Sequence, residues 1–415
     1  MWTRYHIKCN SCDKTTNLRI QIPERKELPV SYNCLGCSSE IKATLKVDFI
    51  NFTWNLTVER GNLINGDFDK GDYYYEYSDT LSTKKPSEEP HFTLMPTMRM
   101  APKELEKLKL KKDSRKMHTD EQWEDLKDLT RAYAKLDYPI IEKLADKIIK
   151  HLFTENSLNC KIELDFHRNY FLALNHLVYP WIDFKNHSEF VNWITDNIFN
   201  QENITNSDLI DYVTNIIDED VCAKIRNDNS ELINRFVDLR EYFYYANHNT
   251  INTDDFAAIS NFNLLKSFYT DCFEFIGRTS QYIFRIQNFY ERGNQNNVPT
   301  TSPRNVTDSD SFSTLDNGQK LNILNLSTED IFKKIYNDCF DSKLRNGINH
   351  FKTNLNKETQ IISYFPITSR PEEEYTISYL NFLNKTLDIF NSVLKIGQLA
   401  KITNVYRFML SNQNE

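Results

Sequence analysis

Cys9-Asn10-Ser11-Cys12 and Cys34-Leu35-Gly36-Cys37 are two C-x2-C runs near the start of the chain. Each such turn presents two thiolates to one ion, and four thiolates complete a tetrahedral Zn2+ shell. Small or turn-forming residues, Asn10, Ser11, Gly36 and Ser38, stand where the backbone must bend. Strand-like stretches flank the runs at residues 5–8, 18–22 and 41–52. Four cysteines leave no coordination position open, so the expected role of the ion is structural and not catalytic. A disulfide framework is the alternative, and a reducing compartment disfavours it. His6 lies close to the first run, but the four cysteines already suffice.

The pattern resembles a zinc ribbon. Lys8, Lys14, Arg19, Arg25 and Lys26 suit a phosphate backbone, while ribbons also serve as protein-docking or folding units; both roles stay open. Beyond the ribbon, β-rich signals continue through Thr53-Trp54-Asn55-Leu56-Thr57-Val58 and Tyr73-Tyr74-Tyr75-Glu76-Tyr77. The tyrosines offer surfaces for base stacking, but alternate packing of such residues on a core is the commoner use. Residues 78–90 are polar and proline-bearing and read as a linker. Residues 102–117 are rich in lysine, interrupted by Glu104, Glu106 and Asp113, and read as a solvated helix face.

Helical patterns dominate the remainder. Thr119-Asp120 reads as a helix start. Leu126, Leu129, Tyr133, Leu136, Ile140, Leu144, Ile148 and Leu152 form an apolar stripe that Pro139 should kink or divide. Asn252-Thr253-Asp254 reads as a cap, followed by a long helix over 262–290. Residues 293–320 are full of Asn, Ser, Thr, Pro and Asp and read as a mobile segment suited to gating. Ser327-Thr328-Glu329-Asp330 reads as the start of the next helix, with Ile331, Ile335, Cys339, Leu344 and Ile348 as its core contacts. A last helix is expected over 373–410.

Composition sets bounds. At 415 residues the chain is long enough for two or three domains. Hydrophobic residues make up 40% and charged residues 26%, as in ordinary folded proteins. The net charge of −8 excludes a uniformly basic RNA-coating protein, so any nucleic-acid contact must be a local patch. No apolar run reaches the ~20 residues that span a bilayer, and Met1-Trp2-Thr3-Arg4-Tyr5-His6 carries no apolar signal core. The expectation is a cytoplasmic protein with no membrane association. Cys160, Cys222, Cys272 and Cys339 are scattered singly and read as small buried apolar residues.

The chemistry-bearing stretch is Leu344-Arg345-Asn346-Gly347-Ile348-Asn349-His350. Arginine brings a planar cation that grips phosphate, and histidine exchanges a proton near neutral pH. On an ideal helix, positions five apart lie about 140° apart around the axis. Arg345 and His350 therefore do not share a face, whereas Asn346 and His350 do. A solvated helix end is the plainer account of the same residues, since basic groups favour a last turn.

The Arg-Asn-x-Ile-x-His string resembles the R-x(4–6)-H motif of HEPN domains, an all-helical family that includes many RNases, over roughly residues 255–415. Gly347 departs from the pattern, since a mid-helix glycine costs about 1 kcal/mol against alanine. The resemblance implies a catalytic set of Arg345, Asn346 and His350 at a homodimer interface, with RNA, tRNA among the candidates, as substrate. It implies a metal-independent endoribonuclease, a toxin or anti-phage effector answering to an antitoxin or a phage trigger. The alternative is a non-catalytic nucleic-acid- or nucleotide-binding regulatory subunit of a defence complex. The expected architecture is mainly α. A zinc-ribbon β-rich domain (1–80) and a linker with a basic segment (81–118) precede a helical domain (119–252) and a HEPN-like helical bundle (253–415).

Overall fold

Every second residue of Glu40–Asp48, namely Ile41, Ala43, Leu45 and Val47, is buried. That period of two is the pattern of a strand with one face on a core, and it recurs through the N-terminal region of the computed structural model. The structure describes residues 1–23, 26–67, 70–78, 83–90, 118–149, 163–200, 203, 206–243, 255–257, 261–302, 306–336, 340–349, 353–367 and 372–412. The lysine-rich stretch 102–117, the expected cap at 252–254, Leu152, Cys160, Cys339 and His350 lie outside them.

The strands are β1 (Trp2–Lys8), β2 (Thr15–Gln21), β3 (Glu27–Asn33), β4 (Glu40–Asp48), β5 (Thr53–Arg60), β6 (Asn62–Ile64) and β7 (Tyr73–Tyr77). Strands β8 (Thr83–Lys84), β9 (Asp255–Phe256), β10 (Thr353–Asn356), β11 (Ile361–Tyr364) and β12 (Tyr375–Ser378) follow. One sheet runs in the order β6-β1-β2-β7, a second β3-β4-β5, a third β10-β11-β12, and β8 pairs with β9. Strand β3 was not expected, although Leu28, Val30 and Tyr32 alternate and are all buried. Tyr73 and Tyr77 are buried, Tyr75 packs on the same core, and Tyr32 stacks on Tyr75 at 4.6 Å. The tyrosine run is therefore core, as the commoner reading had it.

The helices are α1 (Asp120–Ala134), α2 (Tyr138–Ile149), α3 (Glu163–Leu177), α4 (Phe184–Asn197), α5 (Ser207–Asp211) and α6 (Glu219–Leu239). They continue as α7 (Phe262–Arg292), α8 (Ser309–Ser313), α9 (Asn317–Leu324), α10 (Asp330–Lys333), α11 (Ser342–Asn349) and α12 (Tyr379–Asn412). Thr119 caps α1 in a capping box with Gln122, as its sequence position predicts. The apolar stripe is divided at Pro139, but the break changes its phase. Leu136 adopts a left-handed φ of 53°, after which Ile141 is buried and Ile140 is 45% exposed.

Two further expectations are corrected. Within residues 293–320 lie α8 and the start of α9, each opened by an aspartate capping box, Asp308 with Ser311 and Asp316 with Gln319. Local side-chain hydrogen bonds thus open two helices in a stretch whose composition reads as irregular. The last helix begins at Tyr379, because residues 375–378 pair with β11 instead.

The chain divides into two compact units. The first gathers residues 1–110, 239–266 and 346–384 and holds every strand found among the described residues; the described elements of the second, 111–238, 267–345 and 385–415, are helical. Each unit collects three separate stretches of the chain. The division falls inside α11, after Arg345. The coarse class holds: a β-rich N-terminal region followed by a mostly helical remainder.

Candidate metal centre and arginine motif

Each C-x2-C run is the turn of a hairpin, the first joining β1 to β2 and the second joining β3 to β4. The two turns have the same local construction. Asp13 N donates to Cys9 O at 3.1 Å and Ser38 N to Cys34 O at 2.7 Å. Cys9 N donates to Lys14 O and Cys34 N to Ser39 O, both at 2.9 Å. Asp13 and Ser38, each directly after its second cysteine, adopt left-handed φ values of 59° and 57°. The hydroxyl of Ser39 donates to that of Ser11 at 2.9 Å and ties one turn to the other. A Cβ at Gly36 would lie 2.8 Å from the Tyr73 hydroxyl, so the end of that side chain would have to shift to admit one.

This construction brings the four thiol sulfurs within 4.8 Å of one another. Cys9 Sγ and Cys37 Sγ are 3.6 Å apart, as are Cys12 Sγ and Cys34 Sγ. A tetrahedral shell with Zn–S of ~2.3 Å has sulfur–sulfur edges of ~3.8 Å, so the spacing suits one ion. All four are free cysteines. Among the described residues they are the one His, Cys, Asp and Glu group placed to hold a metal, and His6 does not belong to it. Without an ion the thiols differ in acidity. Hydrogen bonds from Ser39 bring Cys37 down to about 6, whereas burial pushes Cys34 up to about 12. A bound cation would hold all of them as thiolates.

The motif helix α11 starts later than expected. Ser327 does not cap it; its hydroxyl bonds Glu291, whose carboxylate also accepts from Thr328 N at 2.9 Å. Asp341 begins α11 instead, its carboxylate accepting from Leu344 N and its carbonyl from Arg345 N, both at 3.0 Å. Acidic Asp341 also faces the positive end of the helix dipole. Ile335, Leu344 and Ile348 are buried as anticipated, while Ile331 is only half-buried.

Arg345 is 27% exposed, and its guanidinium lies against the carboxylate of Glu274 on α7, with Nε to Oε1 at 2.7 Å. Its Cζ also lies 5.9 Å from the Phe273 ring centroid. Asn346 is half-buried. His350, the third residue of the expected set, lies outside the described residues. Gly347 has a packing reason that no sequence pattern shows: a Cβ there would meet Tyr364 Cβ at 2.8 Å and Cδ2 at 2.9 Å. Sequence reasoning missed both Glu274 and Tyr364, because neither stands in a local motif that would mark it.

Among the described residues no helix is long and apolar enough to cross a membrane. No family model matches the chain, and neither a curated protein nor a solved structure shows significant similarity to it.

Proposed function

We propose that this chain is a metal-independent endoribonuclease of the HEPN type, with a structural zinc ribbon in its β unit. The observation that carries the reading is the Arg345-Asn346 pair on a short, Asp341-capped helix, with a half-buried guanidinium already oriented by a carboxylate. An arginine held in one orientation loses less entropy on gripping phosphate than a free one.

In the proposed reaction the 2′-oxygen of RNA attacks the adjacent phosphorus and the bond to the 5′-oxygen breaks. His350 takes the 2′-hydroxyl proton or protonates the leaving 5′-oxygen, a role that contributes ~10²–10⁴-fold in rate. Arg345 stabilises the charge that builds on the phosphate oxygens, and Asn346 orients the imidazole. The products are a 2′,3′-cyclic phosphate and a 5′-hydroxyl. Two copies of the motif meeting in a homodimer bring groups from different helix faces together. A toxin or anti-phage role, cutting tRNA or other RNA in the cytoplasm under the control of an antitoxin or phage trigger, rests on analogy alone.

A second reading is favoured by one observation. Glu274 competes with any phosphate for Arg345, which suits a non-catalytic nucleic-acid- or nucleotide-binding subunit of a defence complex. The two separate by expressing the wild type and His350→Ala and by incubating each purified protein with total RNA in excess chelator. Cleavage that leaves cyclic-phosphate ends, and that His350→Ala abolishes, supports the nuclease. Intact RNA with both proteins, together with equal harmlessness in cells, refutes it.

A further inference from the structure

The hairpin β10–β11 follows the motif helix and, within the β unit, meets the second cysteine turn. Ser38, the residue after Cys37, donates its hydroxyl to Glu358 Oε1 at 2.6 Å. Lys357 Nζ lies 2.7 Å from Glu40 Oε1, just beyond the same turn. Lys357 is the main reason that the Glu40 carboxyl sits down at about 2, with Lys42 adding to it. Two adjacent hairpin-turn residues therefore grip two residues flanking one cysteine knuckle, more than three hundred positions away in sequence. The far end of β11 is Tyr364, on which Gly347 packs too closely to admit a Cβ. The path from Cys37 through Ser38 and Glu40, Lys357 and Glu358, β11 and Tyr364 to Gly347 is made of direct contacts throughout.

We infer that the four-cysteine centre is a latch: a bound metal holds the second knuckle in the shape that grips Lys357 and Glu358, and so orders the β10–β11 hairpin beneath the motif helix. This rests on the reading of the cysteines as a metal site, and not on the nuclease chemistry. Ser38 presents its hydroxyl from a left-handed conformation, φ 57°, that a non-glycine residue adopts only when its surroundings impose it. A metal on Cys34 and Cys37 would hold that conformation in place, because its binding free energy is also folding free energy. Gln360 anchors the hairpin separately, its side chain bonding the backbone of Ala257 with the Ala257 N to Oε1 distance at 2.9 Å. Losing the latch therefore loosens the hairpin without expelling it.

The test uses the full chain, with zinc content measured by mass spectrometry and amide hydrogen exchange followed at residues 353–364 and, as reference, in α3. Chelation of the zinc protein is expected to speed exchange in the hairpin at least about tenfold, which corresponds to about 1.4 kcal/mol, and to leave α3 unchanged. A Lys357→Met/Glu358→Ala double variant, which removes both the cation and the acceptor, is expected to keep its zinc yet show the fast hairpin exchange before chelation. This variant decides the matter even if the metal-free β unit unfolds as a whole. Hairpin protection that ignores zinc removal, or a double variant that keeps wild-type protection, overturns the latch alone. A chain that binds no zinc overturns the metal site and the latch together.

Discussion

Gly347→Ala sets two effects of opposite sign against each other. Alanine in place of glycine inside a helix gains about 1 kcal/mol from backbone entropy. The new methyl, however, would lie 2.8 Å from Tyr364 Cβ and 2.9 Å from Cδ2. Carbon atoms in contact prefer about 3.5–4.0 Å, so something must move by roughly 0.7 Å or more. The nearest atom is a Cβ fixed to a strand, not the end of a flexible side chain, and Tyr364 is itself buried in the β11 register. Overpacking of this kind costs about 1–3 kcal/mol. The net effect is a loss of about 1 kcal/mol, or a fall in Tm of about 2–4 °C for a unit of this size. Thermal unfolding followed by circular dichroism reads the sign directly. If Asn346 takes part in catalysis, the displaced helix should also lower the RNA cleavage rate, by up to about 10²-fold for a shift near 1 Å. A variant that is stabilised by about 1 kcal/mol would refute the packing argument, since propensity alone would then govern the position.

Three further outcomes are expected. Cys9→Ser removes one of four ligands, so metal content measured on the purified protein falls from one ion per chain, and soluble yield falls with it, because structural zinc contributes folding energy; full retention of metal would point to a different ligand set. Burial holds His187 down at about 4, against about 6.5 unfolded. The unfolded chain therefore takes up the proton first, and the helical unit loses up to about 3 kcal/mol as pH falls from 6.5 to 4. The acid slope of its urea midpoint should flatten in His187→Gln, and an unchanged slope would exclude this histidine. Glu274→Gln removes the carboxylate paired with Arg345, and RNA affinity measured by fluorescence anisotropy should fall about two- to fivefold, the worth of a partly exposed ion pair that holds the guanidinium in place; tighter binding would instead make Glu274 a competitor of phosphate, as the second reading has it.

The four-cysteine cluster was legible in the sequence because its geometry is local. A C-x2-C turn carries its own ligands, its own bend and its own hydrogen bonds, so spacing suffices to name Cys9, Cys12, Cys34 and Cys37. The same holds for the Thr119 cap of α1 and for the division of the apolar stripe at Pro139. Local signals failed where several competed. Ser327-Thr328-Glu329-Asp330 does open a helix, α10, but that helix ends at Lys333, and the motif helix starts anew after Asp341. Nothing in residues 353–364 reports that their hairpin grips the second cysteine turn, since no periodicity reveals a contact so distant in sequence. Gly347 reads in sequence as a weak point of a helix and proves in space to be the only residue type that fits against Tyr364. The sequence by itself determined which four thiols can share one metal ion. Tertiary structure alone decided what lies against Arg345 and beneath Gly347, because long-range packing answers to shape and excluded volume rather than to neighbours along the chain.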